Sequence, residues 1–289
     1  MAKLQYTFKT DTLFKILFTK YPELLKKLVA ELLEIACNNI EQFEITNPNI
    51  SPEELGKKFC RLDIMMIVNG QVVDLEIQVS DEGNYSDRSL YYWAREFSTS
   101  INEGDDYSLL PRTIIISILG FNQFPNLQKF HYEFQCLEVM THEPLTEKMI
   151  LHFYELNKLP PLDKADSGRD LWLKLFKAET EEELTNIDKM GVPIMSEAIM
   201  AYRHVAASPE LREAERMRSK TRHDEAQAIR NAEQRGEARG EARGEARGEA
   251  RGIASERKVW QNVVAEKDAE IARKDALIAQ LHENRENRS

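Results

Sequence analysis

Cysteine is scarce in this chain, and what there is forms no pattern. Cys37, Cys60 and Cys136 give neither an even-numbered framework nor a Cys-x-x-Cys pair. A disulfide-stapled fold and a zinc ribbon are therefore excluded, and reduced thiols in a cytoplasmic protein are expected. Long apolar runs are lacking too. The longest, Thr113 to Phe121, is far too short to span a bilayer, so no membrane association is expected. The opening MAKLQYTFKTD has no apolar centre of the kind a secretory signal needs. Positive charge is outnumbered: 39 Lys and Arg stand against 49 Asp and Glu, a net charge of −10. Any contact with nucleic acid must then use a local basic patch. Neither a P-loop nor a Gly-x-Gly-x-x-Gly run occurs, so no nucleotide cofactor is expected. The six histidines (His131, His142, His152, His204, His223 and His282) show no metal-ligand spacing and receive no ligand role.

What the chain does have is a substantial apolar fraction, 42% of 289 residues, and one stretch with unusual chemistry. Residues Phe59 to Ser80 read FCRLDIMMIVNGQVVDLEIQVS. Asn69-Gly70 between two alternating segments predicts a tight hairpin, because both residues tolerate the positive φ of a type I′ turn. That turn pairs Val68 with Gln71, and counting outward places Asp63 opposite Glu76 and Arg61 opposite Gln78. Side chains alternate across a strand. One face then carries Leu62, Ile64, Met66 and Val68 against Val73, Leu75, Ile77 and Val79, and belongs in a core. The other carries Arg61 and Asp63 against Asp74, Glu76 and Gln78. Carboxylates held opposite each other repel unless they share a proton or a cation. Two readings fit this face: a solvated surface with incidental charges, or a site for a hard divalent cation with oxygen ligands.

The rest of the chain predicts an α/β fold with a mixed sheet. Thr10-Asp11-Thr12 caps a helix through LFKILFTK, and Pro22 restarts it into LLKKLVAELLEIAC. A short strand follows at Gln42 to Thr46, then a loop to Leu55, then the hairpin. Asp87 to Glu103 reads as a helix ended by Gly104. Arg112 to Gly120 is a β-branched run expected as a buried strand. Phe130 to Val139 and Met149 to Leu156 are expected as edge strands, and Asp163 to about Arg218 as helices. Basic residues that face nucleic acid are sought among Lys9, Lys15, Lys20, Lys26 and Lys27, then Lys57, Lys58, Arg61, Arg88 and Arg95.

Residues 236 to 251 are four copies of Gly-Glu-Ala-Arg. Glycine costs about 1 kcal/mol per helical position relative to alanine. At i+4 glutamate also repeats onto glutamate and arginine onto arginine. A weak helix or a flexible spacer is expected. Trp260, Val264, Ile271, Ile278 and Leu281 fall near heptad positions beyond it, although Lys267 and Lys274 interrupt the seam. A short coiled coil, and a homodimer through it and the helical region, follow as expectations. The expected division is 1–160, 161–218, 219–252 and 253–289.

DTLFKILF, then RLDI, then LEIQ closing the hairpin, then DRSLYYWAREFSTSINEGDDYSLLPRTIIISILGF together resemble the recombination-promoting nuclease (Rpn), or transposase-like, family. That family belongs to the PD-(D/E)XK nuclease superfamily. The resemblance implies a restriction-endonuclease-like core with a central mixed sheet flanked by helices. It implies a Mg²⁺-dependent endonuclease acting on DNA, with Mn²⁺ as a substitute, linked to recombination or mobile DNA. Asp63 and Glu76 would bind the metal, the carbonyl of Ile77 would complete the site, and Asp11 on the first helix would add an acid. Gln78 stands where the superfamily usually has lysine and would take its catalytic place. Glutamine only orients water by hydrogen bonding; it takes no proton at neutral pH. Lys15, Arg61 and Arg88 would contact DNA. A catalytically weak DNA-binding or assembly protein on the same fold is the alternative.

Overall fold

The computed structural model describes residues 2–47, 63–164 and 167–286. Arg61, Lys57, Lys58, Cys60 and the start of the expected hairpin at Phe59 lie outside the described residues. The chain divides into two units, Met1–Thr221 and Arg222–Ser289.

The first unit opens with α1 (Asp11–Lys20) and α2 (Pro22–Leu32). Pro22 sits in the first turn of α2, where its missing N–H has no helical partner to lose. Leu24, Leu25, Leu28, Val29 and Leu32 form its buried stripe. The expected continuation to Cys37 does not occur. Glu34 takes a φ of +55°, which turns the chain out of the helix.

Six strands follow: β1 (Phe43–Ile45), β2 (Ile64–Val68), β3 (Gln71–Gln78), β4 (Thr113–Leu119), β5 (His131–Leu137) and β6 (Pro144–Glu155). Helix α3 (Tyr85–Ser98) connects β3 to β4. It begins and ends earlier than the expected Asp87–Glu103, and Gly104 serves the following turn with a φ of +93°. The strand order is β1-β2-β3-β4-β6-β5. β3, β4 and β6 run parallel, and the remaining pairs are antiparallel. The expected placement of β6 at an edge is thereby corrected. It lies between β4 and β5, and its C-terminal half is buried, so the edges are β1 and β5.

All seven residues of β4, TIIISIL, are buried, as a strand covered on both faces requires. Ile114, Ile116 and Ile118 join a large core with α1, α2 and the helices α4 (Gly168–Lys177), α5 (Glu181–Asp188) and α6 (Pro193–Ala206). Ile115 and Leu119 join a smaller cluster with Tyr85, Leu151 and Phe153. Helix α3 is held on that second face by Trp93, whose indole N–H donates to the carbonyl of Thr113 at 3.0 Å. Aromatic contacts tie the C-terminal helices to α1 and to the segment just before it. Phe8 stacks on Tyr202 at 4.8 Å between centroids, Phe14 meets Phe176 at 6.1 Å and Phe18 meets Trp172 at 6.3 Å.

His131 and His152 face each other across β5 and β6, their ring nitrogens 3.0 Å apart. Burial holds both below the ordinary imidazole value, with His152 at about 4. An unfolded histidine titrates near 6.5. The neutral pair therefore stabilises the fold fully above that pH, and the contribution is lost as pH falls toward 4. Unfolding followed between pH 7 and pH 5 is expected to show a loss of about 2 kcal/mol assignable to this pair. In His152→Gln that slope should shrink; an unchanged slope would remove the pair from the acid limb.

Helix α7 runs Pro209–Glu286. Within the second unit it includes the Gly-Glu-Ala-Arg repeats, so of the two expected forms, weak helix or flexible spacer, this structure has the helix. Alanine, glutamate and arginine are good helix formers, and an established helix propagates through isolated glycines. Every described side chain of this unit is exposed, including Trp260, Val264, Ile271 and Ile278. Among the described residues no helix is long and apolar enough to cross a membrane.

Candidate metal centre

The Asn69-Gly70 turn sets the geometry. Its φ values are +49° and +76°, the left-handed pair of a type I′ turn. Val68 faces Gln71 and Ile64 faces Leu75, the register expected from the sequence. Asn69 is anchored as well: its Oδ1 accepts from the amides of Glu41 and Gln42 at 2.9 and 3.1 Å, and its Nδ2 donates to the carbonyl of Asn39 at 2.7 Å.

One step before β2, the main chain of Asp63 is pinned from two sides. Its carbonyl accepts from Lys15 Nζ at 2.8 Å and from Asn47 Nδ2 at 3.2 Å. Asn47 Oδ1 in turn accepts from the amide of Met65 at 2.8 Å, imitating a strand neighbour. Asp63 thus comes beside Asp74 and Glu76 of β3. One ligand atom from each of the three lies within 4.8 Å of the others. Oxygens bound to one Mg²⁺ or Ca²⁺ stand at most about 4–5 Å apart, so the donor set fits a hard divalent cation.

Burial argues against the first of the two readings of this face, a solvated surface. Asp63, Asp74 and Glu76 are 7%, 0% and 9% exposed. A solvated sheet face would leave them in water; here all three are buried, and Tyr85 at the start of α3 meets Glu76. Carboxylates gathered out of water need a compensating charge, a proton or donors. Asp74 was absent from the ligand set expected from the sequence. Its signal was there, since it shares Glu76's face two residues upstream, but alternation alone does not say whether such neighbours converge.

The other expected residues fall in different places. Lys15 is 1% exposed and points at Asp63, away from any outer surface. Asp11 lies outside the carboxylate cluster and pairs with Arg218 of α7 at 2.7 Å. The side chain of Ile77 packs against the large core, so only its main chain can serve the acidic face. Gln78 Oε1 accepts from Arg88 Nη2 at 2.6 Å, and its Nε2 donates to the carbonyl of Ser80 at 2.9 Å. Arg88 also pairs with Glu82 at 3.0 Å and lies 4.9 Å over the Tyr85 ring. It is therefore built into the wall beside Gln78. Of the three aromatics in the middle of α3, Trp93 packs against the sheet, Tyr92 is half-buried and Tyr91 is exposed.

Two residues without an expected role complete the centre. Tyr85, the first residue of α3, is buried, and its hydroxyl donates to Glu76 Oε2 at 3.0 Å. The same hydroxyl lies 3.0 Å from Ser117 Oγ on β4, and Ser117 is the direct parallel partner of Glu76. Burial, and then the charge of Glu76, raise the Tyr85 phenol well above its usual range, so it stays a donor. Nothing local in the sequence marks Tyr85 or Ser117, because both meet Glu76 only through the β3–α3–β4 crossover.

The family model of the PD-(D/E)XK nuclease family transposases matches residues 8–232. No curated protein and no solved structure matches the chain. The match takes in α1, the hairpin with all three buried acids, α3, β4 and the C-terminal helices, and it covers well over half of the sequence; this chain belongs to the PD-(D/E)XK nuclease family transposases.

Proposed function

We propose that the protein is a divalent-metal-dependent endonuclease that hydrolyses phosphodiester bonds in DNA, in the service of recombination or mobile-element activity. The observation that carries this is the convergence of Asp63, Asp74 and Glu76, buried on one sheet face in a nuclease-family chain. These three would hold Mg²⁺, with Mn²⁺ as substitute, and the carbonyl of Ile77 is placed next in sequence to join them. A bound ion of this kind neutralises charge on the phosphoryl group and lowers the pKa of water.

The chain's own residues do the positioning. Lys15 and Asn47 fix the backbone of Asp63, so its carboxylate meets the β3 acids. Lys15 also brings one positive charge to a cluster of three negative ones. Its role is then to support the acids from within, and phosphate contacts fall to other basic residues, Arg61 among them. Gln78, held by Arg88 and by the carbonyl of Ser80, would have only its second amide N–H and the remaining lone pair of Oε1 to orient attacking water, and would accept no proton. Arg88→Ala is expected to release Gln78 and lower turnover about tenfold, the low end of what orienting partners contribute. Equal turnover in the variant, measured at saturating metal, would remove Arg88 from the mechanism.

Cleavage of supercoiled plasmid with Mg²⁺, with Mn²⁺ and with EDTA tests the activity. Nicking that needs the metal supports it, and DNA intact under both metals refutes it. A catalytically silent DNA-binding protein is the second reading, and the glutamine at position 78 favours it. Its sign would be salt-sensitive DNA binding without turnover.

A further inference from the structure

We infer that Tyr85, backed by Ser117, is a positioning residue that makes Glu76 a one-oxygen ligand and so sets which divalent cation the centre prefers. The inference rests on the metal-centre reading above.

Three groups meet at one point. Tyr85 Oη lies 3.0 Å from Glu76 Oε2 and 3.0 Å from Ser117 Oγ. A phenol has one proton. As a metal ligand the Glu76 carboxylate only accepts, whereas the serine hydroxyl both donates and accepts. The assignment that satisfies all three runs from Ser117 to Tyr85 to Glu76. Ser117 is 0% exposed and Tyr85 is 2% exposed, so water does not compete for these bonds. The ring is also locked in place. Phe121 and Phe153 meet it edge-on at 6.0 and 6.2 Å between centroids, and the Arg88 guanidinium covers it.

Glu76 Oε2 is therefore held toward α3, and the carboxylate cannot turn to offer both oxygens equally to an ion among the three acids. Ca²⁺ takes six to eight oxygens and commonly uses a carboxylate through both of them. Mg²⁺ requires near-ideal octahedral geometry with shorter bonds, which single-oxygen contacts provide. A Glu76 clamped on one oxygen then favours the smaller ions, Mg²⁺ and Mn²⁺, over Ca²⁺.

Titration calorimetry of Mn²⁺ and of Ca²⁺ into the full-length protein tests this in wild type, Tyr85→Phe, Ser117→Ala and Asp63→Ala. Tyr85→Phe keeps the ring and its packing, and near-UV circular dichroism checks that it has. Its Mn²⁺ affinity is expected to fall about tenfold or more, as when an outer hydrogen-bond partner of a ligand is lost. Ca²⁺ affinity should fall less, so the preference for Mn²⁺ narrows. Ser117→Ala should move the same way by a smaller factor. Equal affinities in wild type and Tyr85→Phe, or an equal loss for both ions, would overturn the inference while Asp63-dependent binding stands. Absence of binding in the wild type would instead overturn the metal centre itself, and this inference with it.

Discussion

Asp63→Ala and Glu76→Ala are each expected to reduce metal-dependent plasmid nicking to background while the fold survives. Either change takes away one of three oxygens that converge within 4.8 Å and lowers the charge of the cluster by one. Metal catalysis contributes several kcal/mol of charge stabilisation, and each 1.36 kcal/mol is tenfold in rate. The loss should therefore be at least about 10³-fold. Both variants should still fold, because removing one of several close buried carboxylates relieves repulsion; Glu76→Ala sets against this the loss of the acceptor of the buried Tyr85 hydroxyl. Each should melt in a single cooperative transition without metal. Wild type alone should then gain stability from added Mn²⁺, by about 2.7 kcal/mol when the ion is a hundredfold above its dissociation constant. Plasmid nicking and thermal melts on the same samples check both halves. Wild-type cleavage that neither substitution removes would place the chemistry elsewhere.

The second large effect concerns stability. Trp172 of α4 is fully buried against Phe18 of α1, in the core that also backs the sheet. Trp172→Ala removes one of the largest side chains from that core, which costs about 3–5 kcal/mol. A domain commonly has only about 5–15 kcal/mol in total. The prediction is a single cooperative transition at much lower denaturant, with signals from the sheet and from the C-terminal helices lost together. Separate transitions would mean that α4–α6 fold as a body of their own. The distinction matters for the centre, since α1 carries both Phe18 and Lys15, and Lys15 holds Asp63. Loosening α4 should therefore weaken metal binding from a distance.

Much of this was legible in the chain itself. The Asn69-Gly70 pair specified the turn, the turn fixed the register, and the register put Asp63 alongside Glu76 on a face apart from Ile64, Met66 and Val68. Helices α1 and α2 followed from their apolar spacing, and β4 from its β-branched run. Errors gathered where local signals compete with distant ones. β6 was expected at an edge, yet its pairing with β4 brings it inside. The end of α2 came early because Glu34 turns left-handed, and α3 stopped before the glycine expected to cap it.

The sequence by itself determined which side chains share a face, because alternation and turn type are local properties of the backbone. Only the tertiary structure decided what that face meets. Whether Asp63, Asp74 and Glu76 stand in water or out of it depends on what the rest of the fold packs against that face, and α3 returns to the sheet between β3 and β4. Lys15 reaches Asp63 across 48 positions of sequence, and Tyr85 and Ser117 reach Glu76 through a crossover. Such contacts are set by the packing of whole elements, and no short pattern of residues encodes them. The hairpin supplied a pair of facing acids; burial, a third carboxylate and the partners around them made that pair a centre suited to one divalent ion.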